Sequence, residues 1–239
     1  MTAPVIDKRP VRVAAMFDAI AARYDFLNHL LSAGFDRHWR ALAIRSLRLT
    51  GRESVIDVCT GTGDVALAAI AGARGAARVL GVDFSGEMLR LGAAKIQQRQ
   101  ESRRIFMARG DATRLPAASD SMQGATVAFG IRNVEEPTRA VAEMCRVLAP
   151  GGRLAILEFS IPRSPVIRAL YLPYFRYVLP RIGRLVSGHG SAYTYLPASV
   201  GTFIPPDVML DILRTSGFGD VFAVPLTFGI VTLYTAVKR

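Results

Sequence analysis

The stretch VIDVCTGTGDVALA, residues 55–68, joins an apolar run to a glycine-rich turn and a second apolar segment. The first run predicts a buried β-strand that carries one acid, Asp57, and the residues from position 64 onward predict a helix. Gly61 and Gly63 lie in the turn between them, where a backbone without side chains can approach a ligand closely. The stretch therefore predicts a strand–turn–helix unit that binds a nucleotide-like ligand.

Strands and helices alternate along much of the chain. Ser85 is expected to cap the helix after the second strand, because a serine hydroxyl can accept a hydrogen bond from the first helical turn. Such alternation predicts a mostly parallel sheet with helices on both faces. The expected strands are residues 54–59, 77–85, 104–108, 124–130 and 153–160, and the expected helices include residues 11–49, 64–72, 86–99, 136–148 and 205–218.

The C-terminal strands break this alternation. Residues 220–226 and 227–237 predict two strands with almost nothing between them. A crossover to a parallel neighbour needs a dozen residues or more, so the pair is expected to form an antiparallel hairpin. An open α/β sheet closed by such a hairpin resembles the class I S-adenosylmethionine-dependent methyltransferase fold, which implies a seven-stranded, mostly parallel sheet.

Length and composition fit one globular domain. The chain has 239 residues, of which 51% are apolar and 21% are charged, and this is enough for a substantial α/β core. The single domain is expected to consist of an N-terminal helical lid (1–50), a cofactor-binding core (51–160), a helical insertion (161–204) and a closing helix with its hairpin (205–239).

Cysteine content, hydropathy and charge narrow the class of protein and its expected location further. Two cysteines exclude a disulfide framework and a closed zinc site, and no metal site is predicted. No apolar run approaches the ~18 residues that span a bilayer, and the N-terminus has no apolar export signal, so a cytoplasmic protein is expected. The net charge of +11 favours nucleic acid, anionic membrane surfaces or acidic ligands without choosing among them.

Acids at successive strand ends distinguish two nucleotide ligands. Residues 61–66 fit the G-x-G-x-x-[GA] pattern of dinucleotide-binding enzymes, and Asp83 lies where either ligand would have its ribose hydroxyls held. Asp57 in the first strand and Asp64 at the helix start are poorly matched to a pyrophosphate. Asp111 follows the third strand and can accept a hydrogen bond from an adenine amino group. The set favours S-adenosylmethionine over a nicotinamide cofactor.

The same acids also have structural interpretations. Taken singly, Asp57 can be a buried acid satisfied by backbone amides, and Asp111 can be a helix cap. Their order at three strand ends, together with Asp83, favours the ligand site.

Two further motifs lie outside the glycine turn. YDFLNHLLSAGFDRHW spans residues 24–39 and RVLAPGGRLAILEFS spans residues 146–160. Both resemble signatures of the ubiquinone/menaquinone biosynthesis C-methyltransferase family, with Leu27 where methionine is usual and Asp36 where histidine is common. The resemblance runs from about residue 12 to the end of the chain. It implies methylation of a ring carbon of a prenylated quinol, with cofactor contacts from Thr62, Asp83, Asp111 and Ala112.

The implied reaction needs a group that stabilises negative charge. A ring carbon becomes nucleophilic when a neighbouring hydroxyl is ionised, so the substrate is expected to be the reduced quinol. Arg132 and Asn133 follow the fourth strand, and Arg132 can hold the phenolate or polarise a water that takes the proton. Tyr24 and Asp25, in the N-terminal lid, complete the candidate catalytic set. The alternative is that Arg132 pairs with a nearby acid, Glu135, Glu136 or Glu158, and holds its loop.

A prenylated substrate also implies contact with a membrane. Residues 160–186 contain five arginines, four tyrosine or phenylalanine residues and no acid. Basic, aromatic segments of this kind lie in the membrane interface, and Pro173 and Pro180 are expected to break this one into short helices. Peripheral contact with an anionic membrane surface is therefore predicted. The alternative is an ordinary helical insertion that covers the sheet.

Several functions remain open on the sequence alone. Demethylmenaquinol is favoured as substrate because the chain is compact, while the benzoquinol of ubiquinone synthesis, or both quinols, stay as alternatives. Another small-molecule or lipid methyltransferase, a nicotinamide reductase and a non-catalytic cofactor-binding protein are the rivals. No nucleic-acid partner is expected, because the chain carries no recognised nucleic-acid motif. Assembly into a homo-oligomer stays one of the alternatives.

Overall fold

A computed structural model describes residues 7–71, 74–178, 181 and 190–239 of the chain. Two helices precede the sheet, α1 (Pro10–Leu31) and α2 (Phe35–Ser46). The helical prediction for residues 11–49 is confirmed for 11–31 and 35–46, with a turn between the two helices and no helix at 47–49. The chain reverses there because Ala33 and Gly34 take positive φ angles of 50° and 78°.

Seven strands form one sheet in the order β3-β2-β1-β4-β5-β7-β6. The first five strands pair in parallel, and β7 is antiparallel to both β5 and β6. The predicted seven-stranded, mostly parallel sheet with an antiparallel C-terminal hairpin is therefore confirmed. The strands are β1 (Ser54–Val58), β2 (Arg78–Asp83), β3 (Ile105–Arg109), β4 (Met122–Ala128), β5 (Leu148–Phe159), β6 (Phe218–Leu226) and β7 (Val231–Lys238).

Helices cover both faces of the sheet. Ser85 caps one of them as predicted, because its Oγ accepts a hydrogen bond of 3.1 Å from the backbone N–H of Met88. Short helical turns lie at Ile131–Asn133, Tyr174–Val178 and Thr227–Gly229. The remaining helices are α3 (Asp64–Ile70), α4 (Gly86–Gln98), α5 (Pro137–Val147), α6 (Pro165–Pro173), α7 (Gly190–Gly201) and α8 (Pro206–Thr215).

The core lies in two layers, one on each face of the sheet. Ile56 and Val58 of β1 pack in one layer, and Val55 packs in the other. This follows from the strand geometry, in which successive side chains point to opposite faces. Trp39 of α2, 3% exposed, lies in the same layer as Val55. Burial on both faces explains why the strands are nearly continuous apolar runs.

The strand order of the sheet changes direction at β1, which is its topological switch point. β2 pairs with one side of β1 and β4 pairs with the other, so the turns that leave β1 and β4 meet at one edge of the sheet. The approach is so close that a methyl group added at Gly130 would overlap the Cβ of Cys59 and lie 3.1 Å from its Sγ. Ligands of open α/β sheets bind at such a point, outside the carboxyl ends of the strands.

The insertion after β5 is partly described. α6 ends at Pro173 and a π-helical turn follows it, whereas Pro180 lies outside the described residues. In the described ranges no single helix is long and apolar enough to span a membrane, and one pair bent by 70°, Tyr195–Gly201 with Pro206–Thr215, meets the length and composition criteria together.

Candidate active site

Two cavities open at the carboxyl edge of the parallel strands. The strand-end cavity, about 140 Å³, is lined by the turns that follow β1, β2, β3 and β4 and by α1. The aromatic cavity, about 460 Å³, lies among α1, α2, α6, α7 and the turns after β4 and before β7. Phe17, Tyr24 and Phe129 line both, so the two cavities adjoin at these three side chains.

Asp83 is held in the wall of the strand-end cavity. Its Oδ2 accepts a hydrogen bond of 2.8 Å from the backbone N–H of Gly61, and its Oδ1 accepts one of 2.8 Å from the N–H of Ser85. Burial raises the pKa of the Asp83 carboxyl, and these backbone donors oppose the rise. The glycine turn and the end of β2 thus fix the carboxylate beside the cavity, where the sequence placed it.

Asp111 and Asn133 line the same cavity from two other turns. The Oδ1 of Asp111 accepts hydrogen bonds from the N–H and the hydroxyl of Thr113, at 2.7 and 2.8 Å. The Oδ1 of Asn133 is buried and has no hydrogen-bond partner among the described residues. Ala112 and Gly61 complete the predicted residues that the structure brings to this cavity.

The lining of the strand-end cavity is acidic in a chain whose net charge is +11. No lysine or arginine is among its described lining residues, which include four acids: Asp83, Asp111, Glu135 and Glu136. The positively charged side chains of the protein therefore lie elsewhere. A cavity with this charge favours a cation and disfavours a pyrophosphate.

Asp57 does not line either cavity, which differs from the sequence prediction. Its carboxylate is 1% exposed, and it accepts hydrogen bonds of 2.6 Å from the Thr60 hydroxyl and 2.7 Å from the Thr126 hydroxyl. The alternative of a buried, satisfied acid therefore describes its contacts, with hydroxyl donors in place of the backbone amides expected. Gly63 also lies outside both linings, and its φ of 81° lets the turn enter α3.

Thr62 and Asp25 also turn away from the cavities. The Thr62 hydroxyl donates to Asp25 Oδ1 at 2.5 Å, and Lys95 Nζ donates to Asp25 Oδ2 at 2.5 Å. Lys95 also donates to Asp64 Oδ1 at 2.8 Å. These contacts tie α1 to the start of α3 and to α4. The structure thus gives Asp25 a place in an ion-pair network and not in a cavity wall.

Aromatic rings form a large part of the wall of the aromatic cavity. Ring centroids lie 6.1 Å apart for Trp39 and Phe129, 4.6 Å for Phe129 and Phe159, and 6.3 Å for Phe159 and Phe175. Tyr171 continues the series at 4.9 Å from Phe175. A cavity of this size and lining suits a flat ring with an apolar substituent.

Arg132 contributes a charged group to this apolar wall. Its Nη1 donates to Glu158 Oε1 at 2.7 Å and also to the carbonyl of Phe129, and its guanidinium lies 5.5 Å from the Phe159 ring centroid. Arg132 is 5% exposed and Glu158 is fully buried. The predicted alternative, a pair with Glu158, is thus present. The Nε of Arg132 still has no partner in the described part of the chain.

A sequence model of the ubiE/COQ5 methyltransferase family matches residues 5–238. The chain belongs to this family. A relative from Syntrophotalea carbinolica, named ubiquinone/menaquinone biosynthesis C-methyltransferase UbiE, is 47% identical over 98% of this chain and 95% of its own. A relative from Deinococcus radiodurans, named demethylmenaquinone methyltransferase, is 44% identical over 99% of this chain and 97% of its own. The resemblance inferred from the two motifs is confirmed.

Solved structures show the same fold at low identity. A S-adenosylmethionine-dependent methyltransferase from Thermotoga maritima matches with a TM-score of 0.64 over 94% of this chain and 99% of its own, at 18% identity. The likeness confirms the methyltransferase fold. Membership of the ubiE/COQ5 family makes the protein a methyltransferase.

In this ubiE/COQ5 methyltransferase, no local sequence pattern marks some of the residues that line the cavities. Phe129 lies three residues before Arg132, but no pattern in the sequence marks it as a site residue. Tyr171 lies in the segment 160–186, for which the sequence predicts membrane contact, and Tyr195 lies in α7. Outside the cavities, Lys95 also has no local signal, because the acid with which it pairs lies 70 residues away. Only tertiary packing brings such residues together.

The ionisation of Asp57 is expected to make folding stability depend on pH. Burial raises the pKa of this carboxyl from 3.8 to about 6, so at about pH 4–6 the folded protein retains a proton that the unfolded chain has released. Stability is therefore lost as pH rises through this window, by roughly 3 kcal/mol. Urea unfolding at a series of pH values measures the effect. The loss should be absent from Asp57→Asn, and an equal loss in both proteins would assign it to other groups.

Proposed function

We propose that this methyltransferase transfers the methyl group of S-adenosylmethionine to a ring carbon of a prenylated quinol, with demethylmenaquinol as the substrate. The names of its relatives support the reaction class, since two of them, from Deinococcus radiodurans and Bacteroides fragilis, are named demethylmenaquinone methyltransferase. The observation that carries the proposal is the pair of adjoining cavities, one acidic and one aromatic, with Arg132 in the aromatic wall.

The residues of the strand-end cavity fit S-adenosylmethionine. Asp83 is held by backbone donors, as a ribose-binding acid would be, and Asp111 and the unpartnered Oδ1 of Asn133 can accept from amino groups. The acidic lining suits a sulfonium cation and disfavours the pyrophosphate of a nicotinamide cofactor. S-adenosylmethionine bound there supplies an electrophilic methyl group.

Arg132 acts on the quinol from the aromatic cavity. Its guanidinium stabilises the phenolate that makes the neighbouring ring carbon nucleophilic, and it does so in a water-poor site where charge stabilisation is strong. The Nε, which has no partner among the described residues, is the donor that can face the substrate oxygen. The phenol proton is released to solvent water, and the guanidinium favours this ionisation by stabilising the phenolate that remains.

Glu158 is a positioning residue in this scheme. Its Oε1 accepts from Arg132 Nη1 at 2.7 Å and from the Phe159 N–H at 2.8 Å, and its Oε2 accepts from the Arg132 N–H at 3.3 Å. Both oxygens are thus engaged by the protein. Glu158 holds the guanidinium in place and is not aimed at the substrate.

The α1 helix closes both cavities. Phe17 and Tyr24 of α1 line each cavity, and Asp18 accepts hydrogen bonds from the Ser85 hydroxyl at 2.5 Å and the Glu87 N–H at 3.1 Å. Asp25 holds the same helix through Lys95 and Thr62. A lid fixed in this way excludes water from a reactive methyl donor. Tyr24, whose pKa burial raises, remains a neutral phenol between the two ligands.

Methyl transfer from labelled S-adenosylmethionine to short-chain demethylnaphthoquinol and demethylbenzoquinol tests the proposal. We expect transfer to the naphthoquinol only when a reductant is present, because a quinone has no hydroxyl to ionise. Transfer to both quinols would identify a dual-specific enzyme, and transfer to the benzoquinol alone would move the assignment to ubiquinone synthesis. Binding of S-adenosylmethionine without transfer to either quinol would contradict the quinol assignment.

Neutral substitutions at Arg132 alone, and at Arg132 and Glu158 together, separate the chemical role of Arg132 from its structural role. Arg132→Gln leaves Glu158 buried without its partner, which is expected to cost about 3–5 kcal/mol of folding stability. Adding Glu158→Gln removes the unpaired charge and should recover most of that loss. Both variants should keep cofactor binding but lose about 10²–10³-fold in kcat. If activity returned with stability in the double variant, Arg132 would have only a structural role.

We also propose that the enzyme works at the cytoplasmic face of a membrane. Large apolar side chains are exposed on elements that line the aromatic cavity: Val166 and Leu170 on α6 are 68% and 72% exposed, and Phe26 on α1 is 60% exposed. A prenyl chain can pass from lipid into the cavity across such a surface. Anionic lipids of the cytoplasmic leaflet attract basic proteins, which suits the net charge of +11.

Flotation with liposomes checks the membrane contact. Replacing Val166 and Leu170 by serine should release most of the protein from vesicles, because both side chains are exposed next to the cavity. Phe222→Ser is the matched control, since Phe222 is 60% exposed on the edge strand β6. Arg168→Gln with Arg181→Gln should weaken binding to anionic vesicles by ~1 kcal/mol per charge and leave neutral vesicles unaffected. Equal flotation of all variants would contradict the proposal.

A further inference from the structure

Two tyrosines that line the aromatic cavity have no part in the proposed reaction. The hydroxyls of Tyr171 and Tyr195 are buried and have no hydrogen-bond partner among the described residues. Tyr171 is 8% exposed and belongs to α6, and Tyr195 is half-buried and belongs to α7. Two separate elements thus bring tyrosines with unpartnered hydroxyls to the lining of one cavity.

Such hydroxyls are costly unless a ligand satisfies them. A buried hydroxyl without a partner destabilises a protein, and most buried polar groups are therefore paired. Four buried side-chain polar atoms in the described part of the chain lack a partner, and all four belong to residues that line the two cavities. Three of them, on Arg132, Tyr171 and Tyr195, line the aromatic cavity. The remaining one is on Asn133.

The two phenols and Arg132 lie around a common space. Burial raises the pKa of both Tyr171 and Tyr195, and the charge of Arg132 opposes the rise at each, so both rings are within electrostatic reach of the guanidinium. Both remain neutral phenols at physiological pH. Tyr174 lines the same cavity but donates its hydroxyl to the Leu31 carbonyl at 3.1 Å. It is therefore a matched tyrosine whose hydroxyl proton is already donated within the protein.

We propose that Tyr171 and Tyr195 bind the second oxygen of the quinol, the one across the ring from the hydroxyl that Arg132 activates. The inference rests on the proposed function. A 1,4-quinol held only at Arg132 can present either oxygen to the guanidinium, and one of these orientations places the prenylated carbon beside the methyl donor. A neutral phenol can donate to and accept from a neutral hydroxyl. Hydrogen bonds from these two tyrosines to that oxygen fix the orientation that exposes the unsubstituted carbon.

Comparing substrates that carry one or two ring oxygens tests the role of the two tyrosines. The quinol is compared with the matching naphthol, which keeps the hydroxyl beside the methyl-accepting carbon and lacks the one across the ring. The variants are Tyr171→Phe, Tyr195→Phe and the pair, with Tyr174→Phe as control. Each single variant should lower kcat/KM for the quinol roughly tenfold, mainly through KM. The same variants should leave kcat/KM for the naphthol unchanged.

A binding readout without turnover accompanies the kinetics. Trp39 is the single tryptophan of the chain and lines the aromatic cavity, so quenching of its fluorescence reports occupancy by quinol or naphthol. Tyr171→Phe and Tyr195→Phe should weaken only quinol binding and should not lower the thermal midpoint, because the hydroxyls removed are unpartnered. Tyr174→Phe should leave quinol binding unchanged.

The outcomes separate this inference from the proposed function. Losses confined to the two-oxygen substrate would support the role of the tyrosines. Equal losses for quinol and naphthol, or no loss for either, would overturn it while the wild-type enzyme still methylated the quinol. Failure of the wild-type enzyme to methylate any quinol, with S-adenosylmethionine bound, would overturn the proposed function and this inference with it.

Discussion

Glu158 ends β5 with no exposed surface, and Arg132 meets it from the turn after β4. Taking both charges out of water costs several kcal/mol per ion unless the pair is well formed and its remaining polar atoms are satisfied. Here Glu158 is satisfied, while one donor of Arg132, the Nε, has no partner among the residues that the structure describes. The pair joins two neighbouring strand ends and stacks the guanidinium near Phe159. The wall of the aromatic cavity and the charge within it therefore depend on one contact.

The glycine turn after β1 separates two polar environments. On one side, the N–H of Gly61 holds Asp83 at the strand-end cavity. On the other side, Thr62 contacts Asp25 and Lys95, which hold α1 against the core. Neighbouring residues of one turn thus hold the cavity wall and α1 separately. Because α1 lines both cavities, the network that fixes α1 also sets the shape of the space where the cavities adjoin.

Local patterns predicted the strands, the Ser85 cap and the hairpin, because each depends on residues close together in the chain. The acids Asp83 and Asp111 could also be placed, since parallel strands end at one edge. The direction in which the Asp57 side chain points could not be predicted. It depends on which face of the sheet the turn covers and on the hydroxyls of Thr60 and Thr126. Tyr195 is a sharper case: its hydroxyl reaches the site only through the packing of α7.

The two cavities carry opposite electrostatic preferences, and this suits a reaction between opposite charges. On the proposed function, the acids Asp83 and Asp111 favour a sulfonium cation on one side, and Arg132 favours a phenolate on the other. Transfer of the methyl group cancels both charges, and a water-poor, low-dielectric space strengthens the attraction that drives such a step. The same space makes a phenol harder to ionise. Arg132 offsets that cost at the one oxygen beside the reacting carbon, so the aromatic wall can stay apolar elsewhere.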